Sequence, residues 1–130
     1  MNPIASVDIN YKVTHLAWSP CDEGVFATTG KDHVIFCTVT GDKIKKIRGK
    51  AAKAGEGVSH CAAAWINDPE AGGVLITGGA DGKLYHWAEG AIASATDNNK
   101  GMVHTVACRQ NEEKVDIVFA GGNDKTVTVY

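Results

Sequence analysis

The 130 residues contain no Cys-x-x-Cys pair, no Asn-x-Ser/Thr acceptor and no apolar run approaching a membrane span. Without paired cysteines there is no local metal-binding or redox spacing. Without a stretch of roughly 18 apolar residues no spanning helix is expected, and hence no membrane partner. The opening MNPIASVDINYK lacks a basic n-region and an apolar h-region, so no secretory leader is expected there. The four cysteines (Cys21, Cys37, Cys61 and Cys108) lie far apart and read as free thiols of a reducing compartment, which implies a cytoplasmic protein. Positive charge is not in excess either. Thirteen Lys and Arg against 15 Asp and Glu give a net charge of −2, whereas nucleic-acid binding needs surplus cations to displace counterions from phosphate. No nucleic-acid partner is expected. The 44% hydrophobic content does supply a folded core.

What is present is a repeat. Three segments align: Gly24–Cys37 (GVFATTGKDHVIFC), Gly73–Trp87 (GVLITGGADGKLYHW) and Asp116–Tyr130 (DIVFAGGNDKTVTVY). Each runs from a β-rich apolar stretch through small residues and a polar turn into an alternating stretch. The turn aspartates Asp32, Asp81 and Asp124 are 49 and 43 residues apart. A period of about 40–45 residues with four strands per unit is the mark of a WD40-type β-propeller. The fold class expected is therefore all-β, with about three blades forming an open partial propeller: residues 11–49, 58–97 and 103–130.

Within the blades, Val13–Pro20, Val58–Ile66 and Val103–Gln110 align on their valines as innermost strands. This alignment places His15 beside His60 and repeats a small residue at Ala17, Ala62 and Ala107, as crowding around a central channel requires. Second strands are expected at Val25–Thr29, Val74–Thr77 and Val115–Ala120, and third strands at Val34–Thr38, Lys83–Trp87 and Lys125–Tyr130. Lys43–Arg48 and Ala91–Ala95 supply outer strands. Asp81-Gly82 between alternating runs is a hairpin signal, since glycine accepts positive φ without steric penalty. The structural WD-repeat set expected is Thr28, Asp32, Thr77, Asp81, Trp87 and Asp124, with Asp and Thr tying neighbouring strands and Trp packing outside them.

Three blades do not close a propeller, which usually takes 4–8. Ile4–Ile9 alternates and precedes the first blade as a displaced outer strand would. Two arrangements fit: a segment of a longer propeller, or copies that associate through their open ends, each Ile4–Ile9 completing the other's last blade.

Chemical motifs give no enzyme. Thr77–Gly82 (TGGADG) follows an apolar run as a dinucleotide loop would, but a strand rather than a helix comes next. Read as a P-loop it is one residue short, and Leu84 stands where Ser or Thr is needed. The five histidines, at 15, 33, 60, 86 and 104, show no tight ligand spacing. His60 and Cys61 are adjacent, and adjacent strand residues point to opposite faces. No Gly-x-Ser-x-Gly elbow occurs, and Glu112-Glu113 reads as a solvated loop. No catalytic residue, metal or cofactor is expected.

Tyr11–Pro20 (YKVTHLAWSP), Phe26–Cys37 (FATTGKDHVIFC) and Thr77–Trp87 (TGGADGKLYHW) together resemble the echinoderm microtubule-associated protein-like family. Those proteins carry a Lys-Val…Ala-Trp-x-Pro strand, a Gly-Lys-x-His-[Ile/Val]-x-Phe-Trp segment and a Thr-Gly-x-x-x-Gly-x-[Ile/Leu]-Tyr-x-Trp pattern. The resemblance runs over residues 11–130. Cys37 stands where the family has Trp, and so does Tyr130, which weakens the outer packing of both blades. The resemblance implies a non-catalytic scaffold, part of a propeller that contacts tubulin, and a cytoskeleton-associated location. The family's amino-terminal coiled coil and basic region do not occur in these residues.

Six of the 13 basic residues fall in one run: Lys43, Lys45, Lys46, Arg48, Lys50 and Lys53. One reading is an outer strand whose lysines discourage edge pairing. The other is a docking patch for an acidic protein such as tubulin. A generic WD40 adaptor in another multiprotein complex is the alternative to the microtubule reading.

Overall fold

The structure is a computed structural model that describes residues 2–51, 53, 56–97, 101–110, 116–123 and 125–130, with the backbone alone at residues 116, 117 and 119. Among the described residues every named element is a strand, and Lys53 has 3₁₀ conformation. Blade 1 is an antiparallel sheet of β1 (Val13–Trp18), β2 (Val25–Gly30), β3 (His33–Thr40) and β4 (Lys43–Arg48), hydrogen-bonded in that order. Blade 2 repeats the order with β5 (His60–Ile66), β6 (Val74–Gly79), β7 (Lys83–Ala88) and β8 (Ala91–Asp97). Blade 3 has β9 (Val103–Gln110), β10 (Asp116–Gly122) and β11 (Val127–Val129). Innermost strands stand side by side, β1 against β5 and β5 against β9, so the blades fan about a common axis. This is an open, partial WD40 propeller.

Alternation along each strand sends one set of side chains to each neighbouring blade. Ala27 and Val34 of blade 1 meet Ala63, Leu75, Tyr85 and Trp87 of blade 2, with Phe36 and Trp65 packed beside them. The opposite face of blade 2, Ala62, Ile76 and Leu84, meets Val103, Val106, Val118 and Ala120 of blade 3. Two bonds also join β1 to β5. Trp65 Nε1 donates to Ala17 O at 3.0 Å, and Thr14 Oγ1 lies 3.0 Å from Thr29 O and 3.1 Å from His60 O.

The inner strands share a feature not visible in the sequence. Pairing skips one residue between Val13 and His15, between His60 and Ala62, and between Val103 and Thr105. A β-bulge recurs at one position in all three blades and re-aims the residue it frees; in blade 1 that residue is Thr14, which bridges to blade 2. The bulge also corrects the alignment. Val13, His60 and Val103 face Gly30, Gly79 and Gly122, so His60 corresponds to Val13 and not to His15. Likewise the small residues facing Ala27, Ile76 and Phe119 are Ala17, Ala64 and Ala107, so Ala64 takes the place expected of Ala62. The cause is blade 2, whose inner strand starts two residues later than its valine suggested.

Ile4–Ile9 is not a strand. Ala5, Val7 and Ile9 are half-buried while Ser6 and Asp8 are exposed. Ile9 packs on Phe26, Ile35 and Cys37, and Lys46 donates from Nζ to the Asp8 carbonyl. The alternation thus records an extended segment lying over the open face of blade 1, held by side chains and not by a ladder. That face carries Trp18, Phe26, Ile35 and Cys37, the positions that in blade 2 hold Trp65, Leu75, Tyr85 and Trp87 and press against a neighbouring blade. Trp18 is 58% exposed, and on the open face of blade 3 Val127 is 73% exposed.

Candidate functional site

Blade 2 buries a polar chain across three strands. Trp87 Nε1 donates to Thr77 Oγ1 at 2.9 Å, and Thr77 Oγ1 lies 3.0 Å from His60 Nδ1. Indole N–H can only donate, so Thr77 accepts from Trp87 and has its own proton to give. The second bond joins that hydroxyl to His60 Nδ1, its direction set by the imidazole tautomer. Burial pushes the His60 pKa down to about 4, against the opposing field of Asp81. The ring is therefore neutral near neutral pH, and edge-on contacts with Tyr85 and Trp87 at 5.3 and 5.6 Å between centroids hold it. Tyr85 hydroxyl donates to Asp81 Oδ2, and Asp81 Oδ1 accepts from Lys83 N at 3.1 Å. Burial, followed by the bond to Asp81, raises the Tyr85 pKa. Sequence reasoning placed Thr77, Asp81 and Trp87 in the repeat but missed His60, because the inner strand of blade 2 starts two residues later than its valine suggested.

Blade 1 lacks this chain. Thr28 occupies the Thr77 position, but Cys37 replaces Trp87 and Val13 replaces His60. The Thr28 hydroxyl is accordingly buried with no hydrogen-bond partner. In blade 3 the corresponding residues are Val103, Ala120 and Tyr130, whose backbone exchanges both bonds with Val118 as a strand partner would.

The turn aspartates are not equivalent. Blade 1 turns through Lys31-Asp32, with Asp32 at φ 56°, whereas blade 2 turns through Ala80-Asp81-Gly82, with Gly82 at φ 83°. Asp32 thus occupies the left-handed position of Gly82, one residue past the place of Asp81. Its carbonyl accepts from Arg48 at 2.7 Å, while its carboxylate makes no tie like that of Asp81. The shorter turn in blade 1 is the reason. Asp124 lies outside the described residues, as do Val115, Glu112 and Glu113.

The six basic residues do not form one patch. On β4, Lys46 and Arg48 share the face of Cys37 and Ile35, while Lys43 and Lys45 lie on the other, opposite Thr40 and Thr38. Lys46 and Arg48 hold the N-terminal segment. Arg48 donates to Tyr11 Oη at 2.9 Å and lies over the Tyr11 ring at 5.4 Å, and that ring stacks on His33 at 4.9 Å. Lys50 continues the outer strand into blade 2, its backbone bonding with Gly90 and Ile92 at 2.8 and 3.1 Å. Lys43, Lys45 and Lys53 are exposed. Among the described residues no group of three or more His, Cys, Asp or Glu could hold a metal ion.

Comparison with known proteins supports the fold and the family resemblance. No protein-family profile matches the chain. It is 28% identical over 127 residues to human echinoderm microtubule-associated protein-like 2, covering 93% of this chain and 18% of that protein. Among solved structures, the β-propeller domain of Cps50 (Swd1) from Myceliophteria thermophila matches 95% of the chain, with a TM-score of 0.75 and 15% identity, over 40% of its own length. The WD40 propeller domain of Doa1 matches 95%, with a TM-score of 0.65 and 15% identity, over 42% of its length. A chain of a polycomb repressive complex 2 in the basal state matches 95%, with a TM-score of 0.71 and 20% identity, over 28% of its length. The chain thus spans less than half of each protein it resembles.

Proposed function

We propose that this WD40 segment, similar to the echinoderm microtubule-associated protein-like family, is a non-catalytic protein-binding scaffold that contributes to a propeller contacting tubulin. The observation that carries the reading is the 28% identity to a microtubule-associated protein-like relative along 93% of the chain. The described polar groups are consistent with a structural role. The buried His60–Thr77–Trp87 chain is spent on joining strands, and its members are 2% exposed or less, out of reach of a substrate. Lys43 and Lys45 remain exposed on one face of β4 and are the residues through which an acidic tubulin surface would be met.

Microtubule co-sedimentation tests this. Lys43→Glu with Lys45→Glu is the clean variant, because Lys46 and Arg48 also hold the N-terminal segment. Sedimentation of the wild-type chain that falls with the double reversal and with added salt supports the reading. Binding unchanged by the reversal removes the patch, and no binding by the wild type favours the generic adaptor, whose fold serves proteins as different as Doa1 and polycomb complexes.

Self-association through the open faces is a second component of the proposal. Exposed Trp18 and Leu16 at one end and Val127 and Val129 at the other are apolar surfaces of the kind that blades bury. Sedimentation velocity over a concentration series should show an oligomer that Trp18→Glu disperses; a wild-type monomer at all concentrations would refute it.

A further inference from the structure

Between the outer parts of blades 1 and 2 runs a groove of about 330 Å³, on the side where the β1–β2 and β5–β6 loops emerge. Its floor is aromatic: Phe36 and Trp65 are half-buried there, with the buried Trp87 ring behind them. Phe36 lies 6.1 Å from Trp65 and 6.2 Å from Trp87, ring centre to ring centre. Both indole N–H groups are already spent, on Ala17 O and Thr77 Oγ1, so what the indoles offer the groove is ring carbon. Ile47, 57% exposed, flanks the opening.

The polar side chains at the groove are both acids, Asp22 and Glu89, and no Lys, Arg or His is among its lining residues. Asp22 comes from the β1–β2 loop of blade 1 and reaches toward blade 2, where a Cβ on Gly72 would lie 3.9 Å from its Oδ2. Glu89 comes from the tight β7–β8 turn of blade 2, with φ 51° at Glu89 and 78° at Gly90. Among the described residues neither carboxylate is in an ion pair. Gly73 keeps the floor open, since a Cβ there would come within 3.1 Å of the Trp65 ring.

We propose that this groove takes the cationic side chain, lysine or arginine, of a protein partner. Aromatic rings attract a cation through the negative potential of their faces, and partial desolvation in a groove strengthens that attraction. The alkyl stem of such a side chain suits Ile47 and Val25, while its charged end meets two carboxylates. A neutral apolar side chain would satisfy the rings but leave the acids without a partner, and an anionic one would be repelled. Lys43 and Lys45 share the β4 face of Ile47 but are not among the groove's lining residues, and the proposal does not depend on the microtubule reading, since its test uses no microtubule.

The test is an NMR titration of the intact chain with two blocked tripeptides, acetyl-Gly-Lys-Gly-amide and its norleucine counterpart, which share a stem and differ in charge. The lysine peptide should give saturable shifts at the Trp65 and Trp87 indole N–H and at the Glu89 and Gly90 amides, and the norleucine peptide should not. Asp22→Asn with Glu89→Gln, both at exposed positions, should weaken lysine-peptide binding about fivefold or more, as loss of two facing charges requires. Equal shifts with both peptides would overturn the proposal, as would binding insensitive to the double variant or the absence of any saturable shift. A spectrum of the double variant that overlays the wild type outside the groove shows the fold is kept.

Discussion

Thr28 and Thr77 occupy one position in two blades, are 2% and 0% exposed, and differ in one respect: Thr77 joins Trp87 to His60, whereas the Thr28 hydroxyl has no partner. Replacing each by valine, which keeps the branched shape and removes the hydroxyl, should therefore move stability in opposite directions. Thr77→Val strands a buried indole N–H and a buried imidazole nitrogen. At about 1–3 kcal/mol for each unsatisfied group, the variant should lose roughly 2–6 kcal/mol. Thr28→Val strands nothing and relieves a buried hydroxyl of its missing partner, so it should be neutral or stabilising by up to about 2 kcal/mol. Urea unfolding reads this as a change in midpoint at constant slope. With a slope of about 1–2 kcal/mol per molar, Thr77→Val should lower the midpoint by more than about 1 M while Thr28→Val leaves it level or higher. Midpoints displaced equally and in the same sense by both variants would refute the reasoning, since that result would mean the polar chain adds nothing beyond side-chain packing.

Acid should weaken the fold through His60, which binds a proton near pH 6.5 when unfolded but only near pH 4 when folded. Its contribution is complete above pH 6.5 and is lost as pH falls toward 4, about 3 kcal/mol for a shift of this size; His60→Gln should flatten the slope of unfolding midpoint against pH in that window, and an unchanged slope would refute the assignment. Gly78→Ala should destabilise by about 1–3 kcal/mol, because its Cβ would lie 2.6 Å from Val103 Cγ1 where blades 2 and 3 meet, and a midpoint equal to wild type would show that the two blades can part. Cys37, fully buried and with its thiol pKa raised by burial, should resist iodoacetamide at pH 8 until the chain is unfolded, whereas rapid labelling of the native protein, read by mass spectrometry of its peptides, would mean that the face beneath Ile9 opens freely.

The blades were legible in the sequence because a repeat states the same pattern several times, so an error in one unit is checked by the others. β4 matches its expected span Lys43–Arg48. β2, β3, β6, β7 and β8 extend one to three residues beyond theirs, whereas β11 is the shorter Val127–Val129. What stayed hidden depends on offsets of one or two residues. Blade 2 begins pairing at His60, two residues past the Val58 on which its inner strand was aligned, so His60 was matched to His15 instead of Val13. The Lys31-Asp32 turn is one residue shorter than its counterpart, so an Asp in the same place along the chain falls in a different place on the turn. Ile4–Ile9 misled for another reason: period-two burial arises wherever an extended chain lies on an apolar face, paired or not.

Why the polar chain survives in blade 2 and is dismantled in blade 1 follows from what covers each. Both faces of blade 2 are packed by neighbouring blades, so His60, Thr77 and Trp87 sit out of reach of water, where a satisfied hydrogen bond is strong and an unsatisfied one is costly. The same positions in blade 1 lie under the Ile9 segment alone, where Val13 is 42% exposed. Thr28 and Cys37 are covered there, but the place that the imidazole takes in blade 2 is open to water at Val13, so a polar chain built through it would be only partly sealed. Cys37 and Val13 keep that face apolar without needing partners, and Thr28 is left with neither. What differs between the two blades is the cover of the imidazole position, since Cys37 is as buried as Trp87 while Val13 is exposed. It follows that restoring both partners in blade 1, by Cys37→Trp with Val13→His, should stabilise only if another blade is docked over that face. In the isolated chain the pair should be neutral or harmful, and a gain in unfolding midpoint there would show that coverage is not what decides where the chain is kept.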